Sequence, residues 1–255
     1  MNIVFLTFGG EGEIYYHCVK RICEQAKQFD IFTKIIGYTD FDLKNDEIFW
    51  KKNKDFIENN SRGYGFWIWK PYIILKTLNM MNENDLLLYL DCGCELNIKA
   101  KNVFFEYIKL LETNDIIGTH ASSTDITYTK SDLVHHLNMD NDNDLLNKLH
   151  MQAGIVFMKK TPNIMKLYTD FYDIAISNNY HYIDDSPSII KNNDSFIEHR
   201  HDQSIFNLLV KKYGLHNYLL DPVPNSIDEL SNKTWFEYPI FCIRNKTKNS
   251  MIDQQ

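Results

Sequence analysis

The chain has 255 residues, of which 44% are hydrophobic and 24% charged; these ordinary globular values exclude a disordered chain. Its formal net charge of −7 argues against a protein that binds nucleic acid along a basic surface. No run approaches the roughly 20 apolar residues of a membrane span, and no basic segment precedes the apolar stretch near the N-terminus. We therefore expect a cytoplasmic protein with no signal peptide and no integral membrane span. The five cysteines lack zinc-ligand spacing and fit a reducing compartment.

Hydrophobic patterning predicts alternating strands and helices along most of the chain. Short apolar runs predict strands over residues 3–8, 32–38, 85–91, 115–118, 152–158 and 218–220. Apolar residues at helical spacing predict helices over residues 12–28, 68–78, 104–111, 164–174 and 202–212. A strand, a helix and a second strand in succession form the unit of a parallel sheet. We therefore expect a single α/β domain over residues 1–255, with a mixed, mostly parallel central sheet flanked by helices.

Two segments depart from this pattern. Residues 121–150 are polar, rich in Asp and Asn, and without periodicity, so we expect a mobile insertion there. From Trp235 onward the chain is first aromatic and then basic, and we expect residues 235–255 to form a basic C-terminal tail.

Two carboxylates follow the most apolar predicted strand. Asp91 and Glu95 stand four residues apart across a glycine turn. They lie where open α/β sheets bind ligands, outside the carboxyl ends of the strands. Converging carboxylates suit Mg²⁺ or Mn²⁺, so the spacing favours a metal site. The alternative is that Asp91 only ends the strand and Glu95 is a solvated turn residue.

The segment 62–72 combines glycines, aromatic rings and two cations. Rings can stack on a sugar or a base, and the cations Arg62 and Lys70 can meet phosphate, so the segment is typical of a site wall. The alternative is an aromatic cluster of the core. Because Trp67 and Trp69 are two residues apart, we expect at least one of them to serve packing alone.

Two further stretches are candidates for ligand contact. Gln152, Ala153 and Gly154 open a predicted strand, and the small residues permit close approach of a ligand, although they also permit tight packing. Asp202 and Gln203 begin a predicted helix, a position that suits a polar ligand. For Asp202 the alternative is an ordinary helix cap.

The order of these elements resembles that of nucleotide-sugar glycosyltransferases of the GT-A fold, which is Rossmann-like. Residues 88–91 (LYLD) resemble their "YLDxD" element, residues 152–157 (QAGIVF) the "NAGV" strand of retaining family 8 enzymes, and residues 202–207 (DQSIFN) their "DQDxLN" helix. The stretches RGYGFWIWKPY, YLDCGCE and HRHDQS are similar to segments of small glycosyltransferases of bacteria and large DNA viruses. The resemblance spans most of residues 1–212.

Three positions depart from the family pattern. Gly93 stands where the family has the second Asp, its main metal ligand, and Gln152 replaces an Asn. The C-terminal metal-binding His of the family has no clear match. Cys242 lies near that place, and His199 or His201 could substitute.

The resemblance implies roles for individual residues. Asp91, Glu95 and His201 would hold Mn²⁺ or Mg²⁺, and Asp202 and Gln203 would be catalytic residues at the donor sugar. The remaining candidates would bind the donor, from its nucleotide to its sugar: Thr7, Phe8, Arg62, Trp67, Lys70, Gln152, Ala153, Gly154 and Arg244.

The activity that the resemblance implies is a metal-assisted, retaining transfer. A sugar would move from a nucleotide-diphosphate donor, expected to be a UDP-sugar, to a glycan, a protein-linked acceptor or another hydroxyl group. One alternative is a sugar nucleotidyltransferase, but the glycine-rich stretch 9–13 is acidic where such enzymes are basic. The other is an inactive carbohydrate- or nucleotide-binding protein on the same fold, which the missing second Asp keeps open.

Overall fold

The structure is a computed structural model that describes residues 1–216, 219–220, 223–224 and 237–252. Tyr218, predicted in the last strand, lies outside the described residues, as do positions 235–236 and 253–255 of the predicted tail. The strands are β1 (Ile3–Gly9), β2 (Lys34–Thr39), β3 (Leu86–Leu90), β4 (Glu95–Leu96), β5 (Ile116–Thr124), β6 (Leu149–Lys159), β7 (Leu219–Leu220) and β8 (Ile240–Phe241).

A central sheet joins these strands in the order β2-β1-β3-β6-β5-β7. Strand β6 runs antiparallel to its neighbours β3 and β5. The pairs β1–β2, β1–β3 and β5–β7 are parallel. The expected mixed, mostly parallel sheet is therefore confirmed. Strands β4 and β8 form a separate antiparallel pair.

The helices match the predicted ones to within a few residues, and several shorter helices join them. They are α1 (Glu13–Phe29), α2 (Asp40–Lys44), α3 (Glu47–Asn59), α4 (Gly63–Phe66), α5 (Trp69–Asn79), α6 (Lys101–Leu110), α7 (Asp125–Tyr128), α8 (Ser131–His136), α9 (Asn143–Leu146), α10 (Pro162–Ile176) and α11 (Asp202–Lys212). Short 3₁₀ turns lie at Ile98–Ala100 and Asn178–Tyr180. Across the described ranges, no helix is both long and apolar enough to cross a membrane.

The helices cover both faces of the sheet, which explains why β3 is apolar at every position. Side chains alternate along a strand, so Leu87 and Leu88 point to opposite faces. Leu87 lies in a core with residues of α5, α10 and α11, and Leu88 in a second core with residues of α1 and α6. All five residues of β3 are buried. A strand buried on both faces reads as one continuous apolar run, as it does in this sequence.

The sheet topology places a crevice between β1 and β3. After β1 the chain passes through α1 to β2 on one side, and it returns to pair β3 with the opposite side of β1. Ligands bind at such a reversal of strand order, outside the carboxyl ends of the strands. Phe8 near the end of β1 and Asp91 directly after β3 stand at this crevice.

The stretch 121–150 contains regular structure. It includes the end of β5, the helices α7 to α9 and the start of β6. Its polar composition predicted a loop, yet several of its polar residues are buried and paired with other charged or polar side chains. The buried carboxylate of Asp125 contacts both a ring nitrogen of His150 and the ammonium group of Lys211 in α11. The segment is therefore attached to the core, while its predicted mobility stays a prediction.

The Asp125 network generates a test of how strongly this segment supports the fold. Asp125→Ala would leave Lys211 buried without its carboxylate partner, which should lower the free energy of unfolding by about 3–5 kcal/mol. Asp144→Ala, at an exposed position of α9, is the control and should unfold like the wild type. Urea unfolding curves of the three proteins measure this, and similar midpoints for the two variants would contradict it.

Candidate active site

A cleft of about 1070 Å³ opens at the crevice between β1 and β3. Its lining comes from the turns after these two strands, the aromatic segment around α4, the first half of β6, the start of α11 and the C-terminal residues 242–246. Small-molecule sites usually measure about 300–1,000 Å³. The cleft is therefore large enough for a ligand of several rings and a second molecule beside it.

The aromatic wall of the cleft rests on an unusual backbone. Tyr64, Phe66 and Trp67 all have positive φ angles, of 55°, 49° and 61°, a region that side chains other than glycine rarely adopt. The resulting turn separates the two tryptophans. Trp69 is buried, stacks on Phe8 with ring centroids 3.9 Å apart, and donates a hydrogen bond of 2.9 Å from Nε1 to the Gly63 carbonyl. Trp67 is half-buried, and both tryptophans border the cleft.

At the floor of the cleft, a buried lysine joins two carboxylates. Nζ of Lys70 in α5 lies 2.8 Å from Oδ2 of Asp202 in α11 and 3.4 Å from Oδ1 of Asp91 after β3. Tyr89 donates a 2.6 Å hydrogen bond to the same oxygen of Asp91. Burial opposes the charge of Lys70, but Asp202 and Asp91 outweigh it and raise the pKa of the lysine above its ordinary value. The lysine therefore stays charged and holds three elements together.

The absence of a side chain at Gly154 leaves space for the carboxylate of Asp91. A Cβ atom at that position would lie 2.7 Å from Oδ2 of Asp91. The Asp91 amide also donates a 2.9 Å hydrogen bond to the Gly154 carbonyl. The close approach expected at Gly154 is thus made by a side chain of the protein itself. Both residues line the cleft.

Helix α11 fixes the neighbouring part of β6. Oε1 of Gln203 accepts a 3.0 Å hydrogen bond from the Ala153 amide. Asn207 bonds both the amide and the carbonyl of Met151, at 2.6 and 2.7 Å. These side chains satisfy the β6 backbone beyond its last pair with β3. Gln152 and Gln203 are thereby held at the cleft surface.

Glu95 does not join Asp91 as the sequence predicted. Its fully buried carboxylate accepts four hydrogen bonds: from Nδ2 of Asn245 (2.6 Å), the amide of Met251 (2.9 Å), Oγ of Ser250 (2.6 Å) and Nε2 of Gln25 (3.0 Å). These partners occupy its oxygens, which argues against the predicted metal-binding role of Glu95. The alternative of a solvated turn residue is wrong, because the side chain is fully buried. Glu95 fastens the C-terminal segment (residues 242–251) to the turn after β3.

Arg21 of α1 makes the second attachment of the C-terminal segment. Its guanidinium group donates to the carbonyls of Cys92 (2.8 Å), Cys94 (3.2 Å) and Asn245 (3.2 Å). The Asn245 amide in turn donates a 2.8 Å hydrogen bond to the Gly93 carbonyl. These bonds place Arg244 and Lys246 at the cleft.

Six of the predicted site residues are buried and do not themselves line the cleft: Lys70, Asp202 and Glu95, described above, and Thr7, Ala153 and His201. Thr7 is fully buried within β1, and Ala153 is buried beside α11. His201, predicted as a metal ligand, is buried in stacking contact with Phe66 and Trp67 and has its Nδ1 2.8 Å from the Ile183 carbonyl. The structure places Thr7, Ala153 and His201 against other parts of the protein, and their predicted roles at a ligand stay predictions. Each of the three residues is close to the cleft in the chain, but its side chain points into the protein.

Arg62 and Cys242 are also placed differently from the expected roles. Arg62 is exposed, pairs with Asp185 at 3.3 Å, and does not line the cleft. Cys242 lines the cleft, but its sulfur lies 3.9 Å from that of Cys94. Thiol ligands are a poor match for Mg²⁺ or Mn²⁺. Neither residue takes the part that the resemblance implied.

The residues present do not fit the expected metal. In the described part of the chain, no three His, Cys, Asp or Glu side chains are arranged to hold a metal ion. Lys70 already supplies a positive charge between Asp91 and Asp202. The chemistry of this site is therefore derived from its own side chains, without Mn²⁺ or Mg²⁺.

Many cleft residues were not predicted individually, and Arg200, Lys246 and Tyr64 (the last within the predicted segment 62–72) are three of them. Arg200 lies over the ring of Tyr128, 4.1 Å from its centroid, and Lys246 and Tyr64 lie at other walls. The chain has only four arginines, and that scarcity was the available signal for Arg200. Lys246 belongs to the basic tail that the sequence did show.

Comparisons with known proteins add information on the fold. No family model and no curated protein matches the chain. A solved glycosyltransferase involved in the glycosylation of the major capsid of PBCV-1 superposes over 97% of this chain and 95% of its own, with a TM-score of 0.52 and 10% identity. Mouse xyloside xylosyltransferase 1 in its apo form covers 88% and 86%, with 11% identity and a TM-score of 0.46, too low to support an inference. The first likeness shows a shared fold and confirms the predicted GT-A architecture.

The separation of the two tryptophans predicts different costs for their removal. Trp69→Ala should lower the free energy of unfolding by about 3–5 kcal/mol, as expected for a buried aromatic ring. Trp67→Ala should lower it by less than half as much, because that ring is half-buried at the cleft. Chemical unfolding of both variants measures the difference, and equal losses would place both rings in the core.

Proposed function

We propose that the chain is a glycosyltransferase that moves a sugar from a nucleotide-diphosphate donor, a UDP-sugar, to a hydroxyl group of a glycan or protein-linked acceptor. One observation carries the proposal: the cleft between β1 and β3 brings aromatic rings, cations and a carboxylate together at the ligand-binding edge of the sheet. The shared fold with a solved glycosyltransferase supports it. The resemblance of residues 152–157 and 202–207 to retaining enzymes supports retention of the sugar's configuration.

Each wall of the cleft suits one part of such a donor. Tyr64 and Trp67 line the aromatic side and offer ring faces to the nucleoside, where stacking on a base contributes about 1–3 kcal/mol. Arg244 and Lys246 lie on another wall and suit the two phosphates. Asp91 and Gln203 offer carboxylate and amide groups to sugar hydroxyls.

The proposed transfer breaks one bond to the sugar and forms another. The bond between C1 of the sugar and the diphosphate oxygen breaks, and its electron pair leaves with the nucleoside diphosphate. The acceptor oxygen bonds to C1 and loses its proton to the medium, through an oxocarbenium-like transition state. Negative charge grows on the departing phosphate, so cations held near it stabilise the transition state more than the bound donor.

The turn after β1 argues against a sugar nucleotidyltransferase. Glu11 of that turn lines the cleft and lies 3.5 Å from the ammonium group of Lys44. This glycine-rich turn therefore lacks the basic side chains that a sugar nucleotidyltransferase carries after its first strand. A nucleotidyltransferase would consume a nucleoside triphosphate and a sugar phosphate, so the identity of the consumed substrate separates the two activities.

A screen of nucleotide sugars tests the proposal. The purified chain should release nucleoside diphosphate from at least one of them, by transfer or by slow hydrolysis. Gln203→Ala should slow the release by roughly 10- to 150-fold if one hydrogen bond to the reacting sugar is lost. The variant should bind the bare nucleoside diphosphate as the wild type does, because the amide faces the sugar.

The release of nucleoside diphosphate can be followed by a coupled assay, and the configuration of the product by NMR. Consumption of triphosphate and sugar phosphate would replace the proposal with its rival. An absence of turnover with every nucleotide sugar, with binding retained, would favour an inactive binding protein.

A further inference from the structure

The turn after β3 leaves little room for a side chain at Gly93. A Cβ atom at Gly93 would lie 3.2 Å from the Cα atom of Arg244, because the C-terminal segment crosses the turn there. Glu95, the next acidic residue, has its oxygens occupied by four hydrogen bonds. Asp91 therefore faces the cleft without a neighbouring carboxylate from its own turn.

On the side that faces the core, Asp91 already has a cationic partner. Lys70 is 4% exposed and shares its charge between Asp91 and Asp202. A divalent cation on Asp91, whose side chain is 41% exposed at the cleft, would lie near this fixed ammonium group, and the like charges would repel each other. The lysine cannot move aside without leaving Asp202 buried and unpaired.

The C-terminal segment replaces the missing ligand with cations. Arg244 and Lys246 line the cleft, and Arg244 is held at a φ angle of 53°. Such strained backbone persists only where the surroundings fix it. The surroundings of Arg244 fix it in this way. The Asn245 amide donates a hydrogen bond to the Gly93 carbonyl, and Arg21 and Glu95 hydrogen-bond to the residues that follow Arg244. The backbone that carries the two cations is thus held at the cleft edge.

We infer, on the basis of the proposed function, that this site binds the donor's diphosphate without a divalent cation, using Arg244 and Lys246 in its place. Lys70 compensates one of the two carboxylate charges of Asp91 and Asp202, and Asp91 at the cleft meets a sugar hydroxyl. A guanidinium group binds phosphate oxygens in a two-pronged geometry, so Arg244 fits the part that a metal plays in bridging two phosphates.

Calorimetry with UDP as the probe tests the inference on the full chain. The dissociation constant measured in EDTA should agree within about twofold with that measured in excess Mn²⁺. Affinity at least tenfold higher with Mn²⁺, or binding that requires it, would overturn the inference while supporting the proposed function. If neither UDP nor any other nucleoside diphosphate binds in either buffer, both proposals are wrong.

A matched pair of arginine variants tests where the charge comes from. Arg244→Asn removes the charge but keeps a residue that tolerates positive φ, and it should weaken UDP binding in EDTA by tenfold or more. Arg62→Asn removes an exposed arginine outside the cleft and should bind UDP as the wild type does. Equal affinity of Arg244→Asn and wild type, with both variants showing native melting temperatures, would overturn the inference.

Discussion

The ion pair network of Lys70 is the interaction on which the rest of the site depends. Its ammonium group lies between Asp91 and Asp202, and it thereby joins β3, α5 and α11 at one point beneath the cleft. Removing one member of such a buried network typically costs about 3–5 kcal/mol, because an unpaired charge stays behind. The same contact sets the electrostatics of the cleft floor, since it compensates one of two carboxylate charges.

A second constraint acts from the opposite wall. The C-terminal segment closes over Gly93, and two buried residues with no place in the cleft, Arg21 and Glu95, hold it there. The sequence predicted Glu95 as a metal ligand, yet the hydrogen bonds of both residues hold the backbone and side chains of the segment. Arg21 and Glu95 do not contact the cleft themselves but hold the segment that carries Arg244 at the cleft edge.

The sequence was most informative where periodicity and chain order decide the outcome. The apolar run of β3, the stripes of α1, α10 and α11, and the site at the end of β3 all followed from it. The errors lie where the direction of a side chain decides. Asp91 and Glu95 are four residues apart, but the turn sends one to the cleft and the other into the core. Residues 121–150 appeared irregular because their polar side chains pair across the fold, as Asp125 does with Lys211.

A crystal structure of the chain with UDP, grown in the presence of Mn²⁺, tests the central claim most directly. The account predicts the diphosphate between Arg244 and Lys246, the base on the side of Tyr64 and Trp67, and Lys70 still between its two carboxylates. A metal ion bound to Asp91 and bridging the phosphates, or UDP bound away from the crevice between β1 and β3, would contradict it.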